Sequence, residues 1–344
     1  DLGHNVWQTT YADLKGAKWL LGKRRDPHPR RVRFRTIRLR DGKAYWVHVG
    51  ELSAPDAWGQ VDARVHDKTE IVATTSGVDE LAFDRDASLL DPARPTQVVL
   101  DGAALSFAPA DPIVAHREAG AWKAGPATHA GPAKRGEITG PIRDAFHASL
   151  LFVYGASDPE QTRANEEVAR AWAAIRGGVT VHYPVVSDVD FLARGESLAN
   201  DHALFLVGNA KSNQILRALE SELPIRVDGD AVVMGSQRFT GEQLGAAFVR
   251  PNPRRADRYL VVVEGTSALG TWRSLSLPDL LPDFVVYDSA VAPARGQMLL
   301  SAGMVRAAGF FKNDWSLPDK TEDPLAKAAR PAAKSEYDAT PYLP

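Results

Sequence analysis

Leu150-Leu151-Phe152-Val153-Tyr154-Gly155-Ala156-Ser157-Asp158-Pro159 is the stretch on which the fold reading turns. Five apolar residues in a row have the length and aromatic content of a buried strand. Gly155 breaks the run, and Ser157 and Asp158 stand where a following helix needs a capping oxygen. A helix from about Pro159 to Ile175 follows, and then a strand at Val179–Tyr183. The same order recurs downstream, with a strand at Ala203–Val207 and a helix from about Ser212 to Leu223. Further strands are expected at Ala231–Met234, Tyr259–Val263 and Phe284–Tyr287. Alternation of strand and helix predicts a mostly parallel sheet with flanking helices, flavodoxin-like or Rossmann-like.

The upstream pattern is different. Between Val32 and about Trp122 the runs are short and alternating or β-branched: Val32–Leu39, Ala44–Val49, Val61–Val65, Glu70–Thr75, Glu80–Phe83, Gln97–Leu100 and Ile113–His116. Turn signals such as Asp41-Gly42 and Asp101-Gly102 separate them, which predicts a small antiparallel β-sandwich. Apolar residues at Val6, Tyr11, Leu14, Trp19, Leu20 and Leu21 have the spacing of a short amphipathic helix ending near Gly22. The expected organisation is therefore an α/β plus all-β chain. It comprises a terminal helix segment (1–30), the sandwich (31–123), a Gly/Pro-rich linker (124–140), the α/β region (141–316) and an extended tail (317–344).

Composition removes several function classes. The sequence has no cysteine, so a thiol nucleophile, a disulfide framework and a Cys-based zinc site are excluded. Its 41 Lys and Arg nearly balance 43 Asp and Glu, without the basic excess expected of a nucleic-acid scaffold. No apolar run is long enough to span a membrane. The nine histidines are dispersed, with no His-x-x-x-His pair on a helix, so no metal site is expected; the turn Gly208–Asn213 is neither a Walker loop nor Gly-x-Gly-x-x-Gly, and no cofactor is expected.

Local patterns leave a short set of candidate residues. His4 lies in a Gly-marked loop directly before a helix, a setting that suits a catalytic general base as well as a cap or packing residue. Ser157 and Ser267 sit at strand-to-helix passages without the Gly-x-Ser-x-Gly spacing of a nucleophile elbow, so helix capping is their expected role. Asn209, Lys211 and Ser212, in Gly208-Asn209-Ala210-Lys211-Ser212-Asn213, form a turn before a helix and are weak candidates for an anion site or for a plain cap. Asp188 and Asp190 lack the rest of a calcium loop and are expected in an exposed loop. Trp46, Trp58 and Trp122 are expected in packing, with a sugar-binding platform as the other reading. The arginines from Arg30 to Arg35 alternate with Val32 and Phe34, as in a strand with one solvated charged face or an anion-binding patch.

Longer motifs carry a resemblance. His4-Asn5-Val6-Trp7 with Thr9-Thr10-Tyr11, Trp19-Leu20-Leu21 and Arg24-Arg25-Asp26-Pro27 resembles the end of the catalytic domain in secreted α/β-hydrolases of the prolyl-oligopeptidase-like type. Gly140-Pro141-Ile142-Arg143-Asp144-Ala145-Phe146, Leu151-Phe152-Val153-Tyr154-Gly155, Leu206-Val207-Gly208-Asn209 and Leu280-Leu281-Pro282-Asp283-Phe284 are similar to C-terminal accessory regions of large bacterial members. The resemblance covers most of residues 1–315, and His4 alone maps to a catalytic position. It implies the C-terminal part of a secreted or envelope-located serine hydrolase acting on peptide or ester bonds. Its serine and acid would come from an upstream fragment, and the chain is not expected to be active alone. The rival expectation is a non-enzymatic extracellular binding or structural protein that self-associates.

Overall fold

A computed structural model describes residues 3–4, 6–174, 183–194, 200–291 and 305–319. The expected strand at residues 179–183 falls almost wholly outside them, as does most of the expected tail. The chain forms two compact units. One comprises Asp1–Thr36, Asp41–Gly50 and Trp58–Ala127; the other comprises Ile37–Arg40, Glu51–Ala57 and Thr128–Pro344.

The first unit begins with two short helices, α1 (Trp7–Tyr11) and α2 (Lys15–Leu21), where the apolar spacing predicts one. Asp13 and Leu14 both adopt left-handed backbone angles, φ 53° and 58°. Two such residues in succession interrupt the i to i−4 ladder.

Ten strands follow: β1 (Arg31–Thr36), β2 (Lys43–Ala44), β3 (Val47–Leu52), β4 (Gly59–Asp67), β5 (Glu70–Ser76), β6 (Val78–Phe83), β7 (Thr96–Leu100), β8 (Ala103–Phe107), β9 (Ile113–Glu118) and β10 (Ala121–Ala124). They form two five-stranded sheets, ordered β1-β4-β5-β7-β8 and β10-β9-β6-β3-β2. Alternation sends Val61, Ala63 and Val65 of β4 inward while Gln60 and Arg64 face out. The predicted turn at Asp101-Gly102 joins β7 to β8 with both residues at positive φ, as a tight hairpin turn requires. One pairing departs from the antiparallel expectation: β5 and β7 run parallel. The chain leaves β5 for β6 in the second sheet before it returns beside β5, and a crossover of that kind restores the strand direction.

The second unit holds β11 (Leu150–Tyr154), α3 (Pro159–Ala173), β12 (Val185–Ser187), α4 (Asp188–Arg194), β13 (Ala203–Val207) and α5 (Gln214–Leu219). It continues with β14 (Ile225–Asp228), β15 (Ala231–Met234), β16 (Gln237–Thr240), β17 (Gly245–Asn252), β18 (Arg255–Gly265), α6 (Ala268–Arg273), β19 (Phe284–Tyr287) and β20 (Ala307–Gly309). Seven of these strands form one sheet ordered β12-β11-β13-β18-β17-β19-β20.

This sheet overturns the flavodoxin-like expectation, because it is mixed. β12, β11, β13 and β18 are parallel neighbours, whereas β17 is antiparallel to both β18 and β19, and β20 is antiparallel to β19. Only Pro253 and Arg254 separate β17 from β18, too short a link for the crossover that a parallel pair needs. A separate antiparallel meander, β14-β15-β16, occupies part of the sequence between α5 and β17.

The core of this unit is continuous. Leu150–Val153, Ala203–Val207, Tyr259–Val263 and Phe284–Tyr287 are all buried, consistent with strands covered on both faces. Phe152 stacks on Phe205 with ring centroids 4.3 Å apart, and Trp172 of α3 lies 5.4 Å from Phe205. Replacing Phe205 with Ala removes the centre of this cluster and is expected to cost about 3–5 kcal/mol. Denaturant unfolding checks it; a loss below about 1 kcal/mol would show that the site collapses around the smaller side chain.

Candidate functional site

His4 is exposed, in a turn ahead of α1, and makes no hydrogen bond or ion pair among the described residues. The structure therefore brings no described serine or carboxylate to it. The helices that follow are also uncovered: Trp7, Tyr11, Leu14, Trp19, Leu20 and Leu21 are each more than half exposed. Trp7 and Tyr11 stack on each other at 5.8 Å, and Lys23 lies 4.9 Å over the Trp19 ring.

Asn209, Lys211 and Ser212 lie together at the carboxyl end of β13, where ligands of open α/β sheets are commonly held. Here the loop closes on its own polar groups. Asn209 Oδ1 accepts from the backbone N–H of Lys211 (3.1 Å) and Ser212 (3.2 Å), while Asn209 Nδ2 donates to Gly265 O. Asn213, rather than Asn209 or Ser212, caps α5, accepting from Ile215 N and Leu216 N. Its Nδ2 donates to the carbonyls of Val153 and Val207, and so ties β11 to β13. Gly208 has φ +109°, and a Cβ there would sit 2.6 Å from Ser212 Oγ, so the turn needs glycine.

Lys211 Nζ lies 2.8 Å from Asp158, the cap of α3, and holds that carboxyl below the usual range. The positive charge proposed to attract an anion is thus balanced by a carboxylate from the loop after β11. Beside it is a cavity of about 650 Å³, lined among others by Gln161, Asn209, Lys211, Asp228 and Thr266.

The remaining candidates separate. Ser267 caps α6, accepting from Gly270 N. Ser157 donates to Asp188 Oδ2 at 3.0 Å. Asp188 is fully buried and also accepts from Ala156 N and Gln214 N, so it organises the loops after β11 and β13 instead of lying in an exposed loop. Trp46 and Trp122 are buried, donating to Pro29 O and Asp101 Oδ2 respectively, whereas Trp58 is half exposed.

Sequence reasoning missed a group of buried charges in the second unit. Lys134 forms an ion pair with the fully buried Asp283, which also accepts from Phe311 N at 3.0 Å. Burial pushes the Asp283 carboxyl up to about 6 against the opposing pull of Lys134. Nearby, Asp144 pairs with Arg40 at 3.2 Å and accepts from Tyr259 OH at 2.9 Å. Tyr259 OH in turn accepts from Thr139 N and Gly140 N. A largely apolar cavity of about 330 Å³ adjoins this network, lined by Ile37, Leu52, Lys134, Pro141 and Phe310 among others. Asp283 inside the apolar run Leu280–Tyr287 was the available signal, since a charge in such a run needs a buried partner.

No family profile, curated protein or solved structure matches this chain. Among the described residues no cluster of three or more His, Cys, Asp or Glu side chains is placed to hold a metal ion, and no helix is long and apolar enough to cross a membrane.

Glu264 on β18 is a further buried carboxyl, held by Val227 N at 3.3 Å. Burial raises it from 4.5 to about 8. Because the folded protein holds this proton more tightly than the unfolded chain does, the contribution is present below 4.5 and is lost as pH rises through about 8. Melting temperature should therefore fall across this window in the native protein. Glu264→Gln, which carries no titratable proton, should flatten the fall; thermal melts giving parallel pH curves for the two proteins would refute the assignment.

Proposed function

We propose that this chain is the C-terminal part of a serine hydrolase acting on peptide or ester bonds, with His4 as its general base. The serine and the acid would be supplied by a preceding domain or by a separate chain. The observation that carries the reading is the uncovered apolar surface of α1 and α2. Soluble monomers seldom leave so many large apolar side chains in water within so short a segment, which points to a protein surface that covers them.

His4 stands directly ahead of that surface and is itself open to solvent. A catalytic domain docked over α1 and α2 would bring its serine within reach of the imidazole. His4 would then take the serine proton as the oxygen attacks the substrate carbonyl, and would return it to the leaving group. The two units would serve as accessory regions that hold this domain or shape access to it.

The same exposed helices also suit the second reading, a non-enzymatic assembly protein in which another copy covers them. A fluorophosphonate probe, applied to the native preparation with intact-mass analysis of every labelled chain, separates the two. The hydrolase reading expects labelling of a catalytic serine outside residues 1–344, lost or reduced about 10³-fold or more in rate when His4 is changed to Ala. Absence of label beside a labelled control hydrolase, with a single mass and a concentration-dependent oligomer, would replace it with the assembly reading.

A further inference from the structure

We propose that the outward face of the β1-β4-β5-β7-β8 sheet binds a linear acidic polysaccharide. This inference is independent of the hydrolase reading.

Strand alternation places Arg31, Arg33 and Arg35 on the exposed side of β1 while Val32 and Thr36 point inward. β1 is the edge of its sheet, so the three arginines form a row along the rim, with successive members about 7 Å apart. The neighbouring β4 sets Arg64 opposite Arg31, Asp62 opposite Arg33 and Gln60 opposite Arg35. Four guanidinium groups thus share this part of the face with one carboxylate.

That carboxylate is already engaged. Arg31 grips both oxygens of Asp62, at 2.9 and 2.7 Å, and Arg33 lies 3.2 Å away. The hydrogen bonds from Arg31, aided by the surrounding positive charge, hold Asp62 below the usual carboxylate range. Arg64 forms no hydrogen bond or salt bridge among the described residues, and Arg35 lies 4.3 Å over the half-exposed ring of Trp58. Like charges directly opposite across strands, as at Arg31 and Arg64, destabilise a sheet. Asp62, gripped by Arg31 and close enough to Arg64 to feel its charge, offsets part of that repulsion within the fold, and a bound anion bridging the arginines would relieve the rest.

The rest of the face narrows the ligand class. Gln60 of β4, Thr74 of β5, Gln97 of β7 and Ser106 of β8 are exposed hydrogen-bonding groups, with Gln97 donating to Ser106; Val72 lies opposite Arg64, and Glu70, paired with His66, lies opposite Gln97. Planar guanidinium forks match carboxylates and sulfates in two-point contact, and the Gln60 amide opposite Arg35 and the Thr74 hydroxyl opposite Asp62 suit sugar hydroxyls. Binding of single-stranded nucleic acid characteristically uses a series of aromatic platforms, and Trp58 already carries Arg35 on its ring. Membrane docking calls for a broad set of large apolar side chains beside the charges, and among the described residues of this unit near the row Trp58 and Val72 are the large apolar side chains left exposed.

The test uses the full chain and fluorescently labelled polygalacturonate and dextran sulfate, with neutral dextran and a single-stranded oligodeoxynucleotide as comparators. At least one acidic polysaccharide should bind, more weakly as salt rises, and the tighter of the two identifies carboxylate or sulfate as the recognised acid. The triple variant Arg33→Gln, Arg35→Gln, Arg64→Gln should weaken binding about tenfold or more, a loss of about 1.4 kcal/mol or more. Lys15→Gln with Lys18→Gln, in α2, should leave it within about twofold. All substituted side chains are exposed, and thermal melts verify that each variant folds. No binding to either acidic polymer, equal binding of neutral dextran, undiminished binding by the triple variant, or tighter binding of the oligonucleotide would each overturn the proposal.

Discussion

The second unit is organised around a charge that its core would otherwise reject. Asp283 is completely buried at the start of β19, and an isolated carboxylate there would carry a desolvation penalty of several kcal/mol. Lys134 answers it, lying 5.0 Å from the Trp315 ring, while Phe311 N supplies a hydrogen bond. One carboxylate therefore joins its own segment to two others, at Lys134 and at Phe311. Gly140 is also constrained by it, since a Cβ there would collide with the Asp283 carboxylate. The adjoining Asp144, Arg40 and Tyr259 network extends the same logic, because each buried polar group finds its partner in a segment remote in sequence.

Those partners explain why the unit draws in Ile37–Arg40 and Glu51–Ala57, which in sequence lie among the strands of the other unit. Arg40 is held by Asp144, Glu51 by His129 at 3.1 Å, and the Leu52 carbonyl by Asn313 at 2.6 Å. Polar contacts of fixed geometry help to set these positions, beside the packing of Ile37, Leu39 and Leu52 around the adjoining cavity.

Individual strands were legible where local pattern suffices. Leu150–Tyr154, Ala203–Val207, Ala231–Met234 and Phe284–Tyr287 appear with the bounds their apolar runs predict. Strand direction was not legible in the same way, because side-chain pattern does not encode it. The two-residue link between Asn252 and Arg255 does encode it, but β17 went unseen because Gly245-Ala246-Ala247 lacks the β-branched signature of a strand. β8 and β10 were missed for similar reasons of length and composition. At the candidate sites, the sequence located the loop at Asn209–Asn213 but not its internal bonding. That bonding depends on Asp158, Asp188 and Gly265, which arrive from other loops. Lys134 was hidden within a stretch whose Gly, Pro and Ala content reads as a linker.

The arginine row on β1 has a consequence for how copies of this chain can meet. An unprotected edge strand offers unpaired backbone groups to any similar strand. A second β1 laid antiparallel along the first would bring one arginine row against the other at the close approach of paired strands, with Asp62 already committed within each copy. Like charge meeting like charge thus opposes sheet extension of this rim by its own kind, and the arginine row that lines the edge also guards it.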